Sequence, residues 1–293
     1  MPSFDVHTHL YVEEVALNPR QWGGHRSETH WCNCVAPTDR KSIQGWPSLN
    51  TLLLDMDEAE VEKVVLLGWY WENQETCEEQ NKWYARWTRE HPDRILAFAT
   101  LNATSGQRAL DTVEWAVDHG FRGLGEFLPQ VQGHTLRDEN WLKVVKKATD
   151  ANLPINLHVT EPAGHDYPGK VETPLGDYVW LAEEFPETRF ILAHWGGLLP
   201  LYELNSSVHG KMKNVFYDTA ASPLLYDSRI FRNVLDAIGP DRILYGSDYP
   251  LILYPGSNKV PDFHTFLEEI RSAGLTQAEE SAILEDNARR LFS

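Results

Sequence analysis

Cysteine is scarce in this chain, which has only Cys32, Cys34 and Cys77 among its 293 residues. A small, odd number of thiols excludes a disulfide framework as the source of stability and is typical of a reducing compartment. The opening Met1–Asp5 segment is not a basic stretch leading into an apolar one, and no apolar run is long enough to span a bilayer. We therefore expect a cytoplasmic protein that does not associate with membranes.

Positive charge is also in short supply, because 26 lysines and arginines face 43 aspartates and glutamates for a net charge of -17. Such a surface repels phosphate backbones, which argues against a nucleic-acid-binding protein and favours a small-molecule substrate. The length and the 42% of hydrophobic residues fit one domain covering residues 1–293. A homodimer is compatible with these numbers.

Short apolar runs alternate with amphipathic stretches along nearly the whole chain. Most runs are almost continuously apolar, as expected for parallel strands buried on both faces. Eightfold strand–helix alternation predicts an α/β protein with a closed (β/α)8 TIM barrel, and an open doubly wound sheet is the alternative. The predicted strands are Phe4–His9, Lys63–Trp69, Ile95–Asn102, Arg122–Phe127, Pro154–Thr160, Arg189–Trp195, Asn214–Thr219 and Arg242–Asp248.

Two segments fall outside this alternation. Tyr11–Trp46 is a long insertion after the first strand, and a connection of that length is usually functional, so we expect it to cover the barrel mouth. It includes the His30–Cys34 stretch, which lacks a second Cys/His cluster and is interpreted as part of this cover rather than as a zinc site. Thr276–Phe292 predicts an extra C-terminal helix, with Thr276 and Glu279 forming a capping box.

His7 and His9 are the first candidate functional residues along the chain. With 12 histidines in the chain, about half of one such pair is expected by chance, so the spacing alone is weak. Residues two apart on a strand point the same way, however, and these two end the first predicted strand. We interpret them as metal ligands rather than as a hydrogen-bonded structural pair.

Three further apolar runs end in an ionisable residue, namely His158, His194 and Asp248. The carboxyl ends of barrel strands meet at one mouth, where active sites are built. Burying several polar groups together is costly unless something satisfies them, and a divalent ion bound by imidazoles and a carboxylate does so. The pattern predicts a metal centre at the mouth.

These stretches resemble the amidohydrolase superfamily, and within it the amidohydrolase 2 group of aminocarboxymuconate-semialdehyde decarboxylase, aromatic-acid decarboxylases and dicarboxylate lactonases. The resemblance covers essentially the whole chain, in the expected order. The stretches that carry it are Asp5-Val6-His7-Thr8-His9, the strand-ending His158, Ala193-His194-Trp195-Gly196-Gly197, Gly246-Ser247-Asp248-Tyr249-Pro250 and the closing Ile283–Phe292.

The resemblance implies that His7, His9, His158 and Asp248 bind one divalent metal ion, for which we expect Zn²⁺. It also implies that His194 activates a metal-bound water as the base. Asp248 would have a second, catalytic role in carrying that proton to the leaving group.

The fourth predicted strand ends in Glu126 rather than in the lysine that bridges two ions in binuclear relatives. This favours a single ion. Glu126 is then either a residue of the substrate pocket or a ligand of a second metal, and we favour the pocket.

The function implied is hydrolysis of a small lactone, ester or amide. The alternative is non-oxidative decarboxylation of an aromatic or unsaturated carboxylic acid at the same site, and a TatD-like nuclease fits the acidic charge less well. Trp69, Trp71 and Trp195 follow strand ends and suit an apolar or planar substrate, although loop packing explains them equally well. No arginine or lysine ends a strand, and those in loops that could reach the mouth are Arg20, Arg26 and Lys170.

Overall fold

The computed structural model describes residues 2–164, 166–167, 169–253 and 260–293. Eight parallel strands pair in sequence order, as the alternation of apolar runs and helices predicts. The strands are β1 (Ser3–Thr8), β2 (Val61–Leu67), β3 (Ile95–Ala99), β4 (Gly123–Phe127), β5 (Ile155–Leu157), β6 (Phe190–Leu192), β7 (Val215–Asp218) and β8 (Ile243–Leu244).

The sheet closes on itself between β1 and the chain that follows β8. The backbone N–H of Val6 donates to the carbonyl of Tyr245 at 2.9 Å, and that of Asp248 donates to the carbonyl of His7 at 2.9 Å. A parallel bridge also joins Thr8 and Tyr249. Closure confirms the predicted barrel over an open sheet and brings the ends of the first and last strands into contact.

Several predicted strands extend beyond the observed ones at their carboxyl ends. The β5 ladder ends at Leu157 and the β6 ladder at Leu192, so His158 and His194 lie just past it. β8 is also short, and Asp248 follows it in an irregular segment. These three residues therefore lie on loops directly after strand ends, where the active sites of barrels are built.

The connecting helices pack their apolar faces on the outside of the barrel. In the helix Glu139–Asp150, Trp141, Val144, Val145 and Ala148 recur on one face and are all buried. The Asp138 side chain accepts from the backbone N–H of Asn140 and caps the helix. The helices are α1 (Glu13–Leu17), α2 (Pro19–His25), α3 (Thr29–Val35), α4 (Leu49–Glu58), α5 (Gln74–Glu90), α6 (Gln107–Asp118), α7 (Glu139–Asp150), α8 (Leu175–Glu184), α9 (Leu199–Tyr202), α10 (Ser206–His209), α11 (Ser222–Leu225), α12 (Arg229–Ile238), α13 (His264–Ser272), α14 (Gln277–Ser281) and α15 (Asn287–Leu291).

The predicted C-terminal helix is broken into two α-helices by a π-helical stretch at Ala282–Asp286. The Thr276–Glu279 capping box forms as predicted. Beyond α15, the Phe292 ring lies 5.6 Å from Phe4. Phe4 stands near the start of β1, so this segment covers the amino-terminal end of the barrel, opposite the candidate site.

The insertion after β1 folds into α1, α2 and α3 around a cluster of aromatic rings. Trp31 lies 5.7 Å from Tyr11 and 5.4 Å from Trp71, the latter on the loop after β2. The buried Glu28 carboxylate accepts the backbone N–H of Glu72 at 2.7 Å, which ties the insertion to that loop. Burial of several large aromatic side chains stabilises the insertion as a packed unit.

Within the described ranges, no helix is both long and apolar enough to cross a membrane.

Candidate metal centre

Six ionisable side chains meet at the carboxyl end of the barrel. They come from five strands, and none of the six side chains is more than 14% exposed to solvent. Barrel closure brings the first and last strands together, so residues far apart in sequence share one site. The six are His7 and His9 of the β1 end, Glu126 of β4, His158 after β5, His194 after β6 and Asp248 after β8.

One half of this cluster is formed by His7, His9, Asp248 and one oxygen of Glu126. Asp248 Oδ1 lies 3.7 Å from His7 Nε2 and 3.5 Å from His9 Nε2. Glu126 Oε2 lies 3.7 Å from each of the same two nitrogens. Ligand atoms about 2.1 Å from a tetrahedral ion are about 3.4 Å apart. The ligand atoms of His7, His9 and Asp248 all lie within 4.8 Å of one another, so these three residues have the spacing of a metal site.

The other half is formed by the second oxygen of Glu126 with His158 and His194. His158 Nδ1 lies 2.8 Å from Glu126 Oε1, and His194 Nε2 lies 3.6 Å from the same oxygen. The two ring nitrogens are 3.2 Å apart. Of the four ligands implied by the resemblance, His158 is thus the one whose polar contacts go to Glu126 and His194.

Hydrogen bonds at the outer ring nitrogens orient the imidazoles. His9 Nδ1 donates to the carbonyl of Leu67 at 3.0 Å, and His194 Nδ1 donates to the carbonyl of Ala220 at 3.1 Å. A carbonyl only accepts, so Nδ1 has the proton and the Nε2 lone pair faces inward in both residues. Such outer contacts are typical of histidines that bind metal.

His7 provides the clearest sign that a cation belongs here. Its Nδ1 donates to Asp218 Oδ2 at 2.9 Å, while its Nε2 is buried with no hydrogen-bond partner in the described part of the chain. A buried polar atom without a partner is costly, and a metal ion bound by His7 and its neighbours would satisfy it. The residues present therefore fit a divalent ion.

The electrostatics of the cluster favour bound cations. Burial opposes protonation of His7, but the Asp218 and Glu126 carboxylates outweigh it and raise the His7 pKa to about 10. Its neighbour His9 has a pKa lowered to about 4 by burial and by the proximity of His7. A site whose carboxylates hold a proton so strongly also attracts a metal ion, which competes with that proton for the imidazole.

Asp218 belongs to the site, although sequence reasoning did not select it. It ends β7 and is fully buried, and its Oδ1 accepts the backbone N–H of His194 at 3.0 Å while its Oδ2 holds His7. Asn156 adds a 3.3 Å contact to the same Oδ2. The available signal was an ionisable residue at the end of a seventh apolar run, the feature that selected His158, His194 and Asp248.

The chain turns with a left-handed backbone directly after β6. Five consecutive residues, His194 to Leu198, have φ between 55° and 70°. A Cβ on Gly196 would lie 2.8 Å from the Tyr217 ring, so glycine is required there on grounds of both space and conformation. This turn presents the His194 side chain to the mouth while its backbone N–H binds Asp218.

A cavity of about 330 Å³ lies beside the cluster, with His9, Glu126, His158, His194 and Asp248 in its wall. This volume is at the small end of ligand pockets. A wider, open groove of about 730 Å³ next to Glu268 includes none of these residues, so we assign function to the smaller cavity. Residues of the insertion that complete the wall are Cys34, Val35, Arg40, Ile43 and Gln44, which places the insertion over the mouth as predicted.

Of the three tryptophans predicted for the pocket, Trp69 lines the cavity and stacks on Tyr70 with centroids 4.3 Å apart. The described wall does not include Trp71 or Trp195, so the prediction is corrected for these two. Trp71 packs in the aromatic cluster of the insertion, and the Trp195 indole N–H donates to Ser222 at 3.1 Å under α11. The left-handed turn directs Trp195 away from the side that His194 faces.

Arg40 is the cationic residue in the described cavity wall, and sequence reasoning did not select it. It is half-buried in an irregular part of the insertion, where no periodic pattern marks it. The cations considered from the sequence are engaged elsewhere. Arg20 donates to the carbonyl of Ala36, Arg26 pairs with Glu79 at 2.9 Å, and Lys170 lies 3.8 Å from Glu161.

The sequence matches a known protein family. The model of the amidohydrolase family matches residues 4–293. No curated protein matches the chain.

Several solved structures share the fold at low sequence identity. 5-Carboxyvanillate decarboxylase from Sphingomonas paucimobilis superposes with a TM-score of 0.76 at 15% identity, covering 99% of this chain and 98% of that one. 2,6-Dihydroxybenzoate decarboxylase from Rhizobium gives 0.69 at 18% identity, covering 100% and 98%. A dihydroxybenzoic acid decarboxylase from Polaromonas, solved with manganese and 2-nitroresorcinol, gives 0.72 at 16% identity, covering 99% and 96%.

Proposed function

Because the chain belongs to the amidohydrolase family and is a metal-dependent enzyme of that superfamily, we propose that it is a non-oxidative decarboxylase of a single-ring aromatic carboxylic acid. The decarboxylases among its structural neighbours support this choice over hydrolysis of a lactone, ester or amide. The observation that carries the proposal is the Arg40 guanidinium in the wall of the cavity beside the metal centre.

Arg40 is poorly satisfied by the protein itself. Its Nε is buried with no hydrogen-bond partner among the described residues, and Nη2 makes a long contact of 3.4 Å to the Cys34 carbonyl. A carboxylate can accept two parallel N–H bonds from a guanidinium, which matches this unused donor capacity. We infer that Arg40 binds a carboxylate or phenolate group of the substrate.

The rest of the cavity favours a flat ring. Trp69 and Tyr70 form a stacked pair, and the aliphatic residues in the wall include Leu128, Leu224 and Leu251. Aromatic and aliphatic walls bind the faces of a ring, while few polar groups set its orientation. The cavity of about 330 Å³ accommodates one substituted ring rather than two.

The metal-binding residues would orient the reacting group. A divalent ion held by His7, His9 and Asp248 would supply positive charge to bind and polarise substrate oxygens. Nitrogen and carboxylate donors accept both Zn²⁺, the ion expected from the sequence, and Mn²⁺. Metal analysis of the purified protein identifies which of the two is bound.

Asp248 lies where it could transfer the proton that replaces the departing carboxylate on the ring. It lines the cavity next to the Nε2 atoms of His7 and His9, and burial raises its pKa to about 6 when no ion is bound. In the proposed reaction the bond between the ring and its carboxylate breaks, and CO2 leaves. The electron pair stays on the ring carbon, which takes the proton from Asp248, and solvent returns a proton to Asp248.

The test is CO2 release from a panel of hydroxylated and methoxylated benzoates. We expect turnover by the wild type, and for Arg40→Gln a KM about 100-fold higher with a smaller change in kcat, since one charge-assisted pair contributes about 1.5–3 kcal/mol. Arg20→Gln is the matched control from the same insertion and should behave as wild type. Absence of CO2 release from every panel member would reject the decarboxylase assignment.

Hydrolysis is the second candidate, and His194 is the observation that favours it. Its Nε2 lone pair faces the cluster, and nearby carboxylates overcome the effect of burial and raise its pKa, as suits a base that takes a proton from water. Lactones, esters and amides in ¹⁸O-labelled water distinguish the two reactions. Incorporation of ¹⁸O into product would identify a hydrolase, whereas decarboxylation leaves none in the ring product.

A further inference from the structure

We propose that His30 closes the substrate cavity by joining the insertion to the loop after β5, and that separation of these two segments admits the substrate. The cavity wall includes Cys34 and Val35 of the insertion, and Tyr167 and Gly169 of the loop. His30 lies on α3 beside that wall and is not one of its described residues. The inference rests on the proposed function only in assuming that a substrate enters this cavity.

The His30 ring forms a direct hydrogen bond between the two segments. Burial lowers the pKa of this imidazole, so at neutral pH the ring has a single proton. Nε2 lies 2.8 Å from the Gly169 carbonyl, which only accepts, so Nε2 has the proton and donates it to that oxygen. Cys34 Sγ lies 3.8 Å from Nδ1 and 3.7 Å from Nε2, so the thiol packs against the same ring. His30 therefore contacts both sides of the closure.

Gly169 lets the loop backbone approach α3 closely. Its φ is 90°, a conformation that favours glycine. A Cβ at this position would overlap the Cys34 sulfur and would lie 3.4 Å from His30 Nε2. Because the loop backbone is in contact with the thiol, there is no gap at this point through which a ring-sized molecule could pass.

The insertion side of the contact is fixed. The His30 backbone N–H donates to Glu72 Oε2 at 2.7 Å, and the buried Glu28 carboxylate in turn accepts the backbone N–H of Glu72. The His30 ring also lies 5.7 Å from the Tyr70 ring. These contacts attach His30 to the packed unit that the aromatic cluster stabilises, so we infer that the loop after β5 moves when the two segments separate.

The loop after β5 has its two ends joined at the base. The backbone N–H of Thr160 donates to Thr173 Oγ1 at 2.9 Å, and the Thr173 hydroxyl donates to the Thr160 carbonyl at 3.3 Å. Surface loops with such closely spaced ends often serve as covers of active sites and move about their base. Loss of the hydrogen bond between His30 and Gly169 would then release the loop while its base stays in place.

The Cys34 thiol reports on this opening, because it lies at the contact. Cys34 is half-buried, Cys32 and Cys77 are buried, and burial raises the pKa of the Cys34 thiol to about 12. Alkylation by iodoacetamide is therefore slow while the segments are closed. The experiment uses the full chain with its metal ion bound and without substrate, and mass spectrometry of peptides gives the alkylation rate at each cysteine.

His30→Phe keeps a ring but lacks the donor, and it should be alkylated at Cys34 about fivefold faster than wild type, the effect of losing one hydrogen bond. His30→Gln can still donate to the Gly169 carbonyl and should stay close to the wild-type rate. His25→Phe, on the exposed end of α2, is the control and should not change it.

Gly169→Ala tests the same contact from the loop side, because its methyl group forces the segments apart while His30 is intact. It should also accelerate alkylation of Cys34. Gly133→Ala is the matched control, since Gly133 has a similar φ of 82° but open space where the methyl group would lie.

Unchanged Cys34 rates in both His30→Phe and Gly169→Ala would overturn the proposal. Equal acceleration at Cys32, Cys34 and Cys77 would also overturn it, because that result shows general loosening of the fold rather than opening at one contact. The rates are measured without substrate, and therefore a failed decarboxylase assay has no bearing on them.

Discussion

Two buried groups of charged residues in this barrel differ in how their charge is compensated. At one, Glu203 accepts from Arg242 Nη2 at 2.6 Å and from the Tyr217 hydroxyl at 2.8 Å. Arg242 also donates to the carbonyls of Met212 and Val215. At the other, the metal centre, acceptors converge and the His7 Nε2 atom has no partner in the described chain.

The difference separates a structural ion pair from a binding site. Glu203 and Arg242 each have a counter-charge within the protein, so the pair is complete when the chain folds. Among the described residues, the metal centre has carboxylates and imidazole lone pairs but no lysine or arginine, and the His7 Nε2 atom has no partner, so its compensation must come from outside. Unsatisfied buried groups, rather than buried charge as such, identify the functional site.

The largest effect is expected from Asp248→Asn, which should reduce turnover by about 10³-fold or more, because a neutral amide can neither donate the proton nor bind the metal ion with a full negative charge. Turnover of the assigned substrate and metal content are the measurements. Asp227→Asn, on the exposed groove near α11, is the control. If Asp248→Asn keeps activity within tenfold of wild type, Asp248 has no catalytic role.

Glu203→Gln should destabilise the fold by about 3 kcal/mol, because it leaves the Arg242 charge buried without a counter-ion. Thermal unfolding should show a midpoint lower by several degrees, while metal content stays unchanged. Glu279→Gln removes the partner of the more exposed Arg232, at 3.0 Å, and should cost less than about 1 kcal/mol. Equal losses in the two variants would contradict the contrast drawn here.

Added metal should stabilise the protein by about 2.7 kcal/mol at one hundred times its Kd, because only the folded chain presents the converging ligands. Differential scanning fluorimetry with and without Mn²⁺ measures this shift. Glu203→Gln should show the same shift from a lower starting midpoint, and Asp248→Asn a much smaller one. A shift that Glu203→Gln loses would mean that the two groups are coupled.

Asp218→Asn should weaken metal binding about 10- to 100-fold, the usual effect of changing a group that orients a metal ligand. The amide can still accept from the backbone N–H of His194, but its NH2 group would face the Nδ1–H of His7. Competition with a chromogenic chelator measures the affinity. Unchanged affinity would show that Asp218 acts only in the fold.

Much of the fold could be predicted because each strand is a short apolar run bounded by turn residues. The β-strands in the structure overlap all eight predicted runs. The ends were less predictable, since Leu157-His158 and Leu192-Ala193-His194 continue an apolar pattern after the ladder has ended. A residue just after the last paired residue of a strand still has apolar neighbours in sequence. The sequence therefore does not show where strand pairing ends.

The site was predictable only where a residue type is rare and stands at a strand end. His7, His9, His158, His194 and Asp248 met that condition, and the structure brings them together. The division of Glu126 between two sets of nitrogens depends on how β4 faces its neighbours, which no spacing reveals. Arg40 lies in an irregular stretch of the insertion, and its position in the cavity wall depends on how the whole insertion packs.

The left-handed turn from His194 to Leu198 has a consequence for how this protein can evolve. For the residues other than glycine, that backbone costs about 1–2 kcal/mol each, so the surrounding contacts must hold it in place. At Gly197, any side chain would start 3.1 Å from both Leu175 and Val159. Few amino-acid substitutions are therefore tolerated in this segment. In a saturation mutagenesis library, most substitutions from His194 to Leu198 should be lost, while flanking surface positions tolerate many.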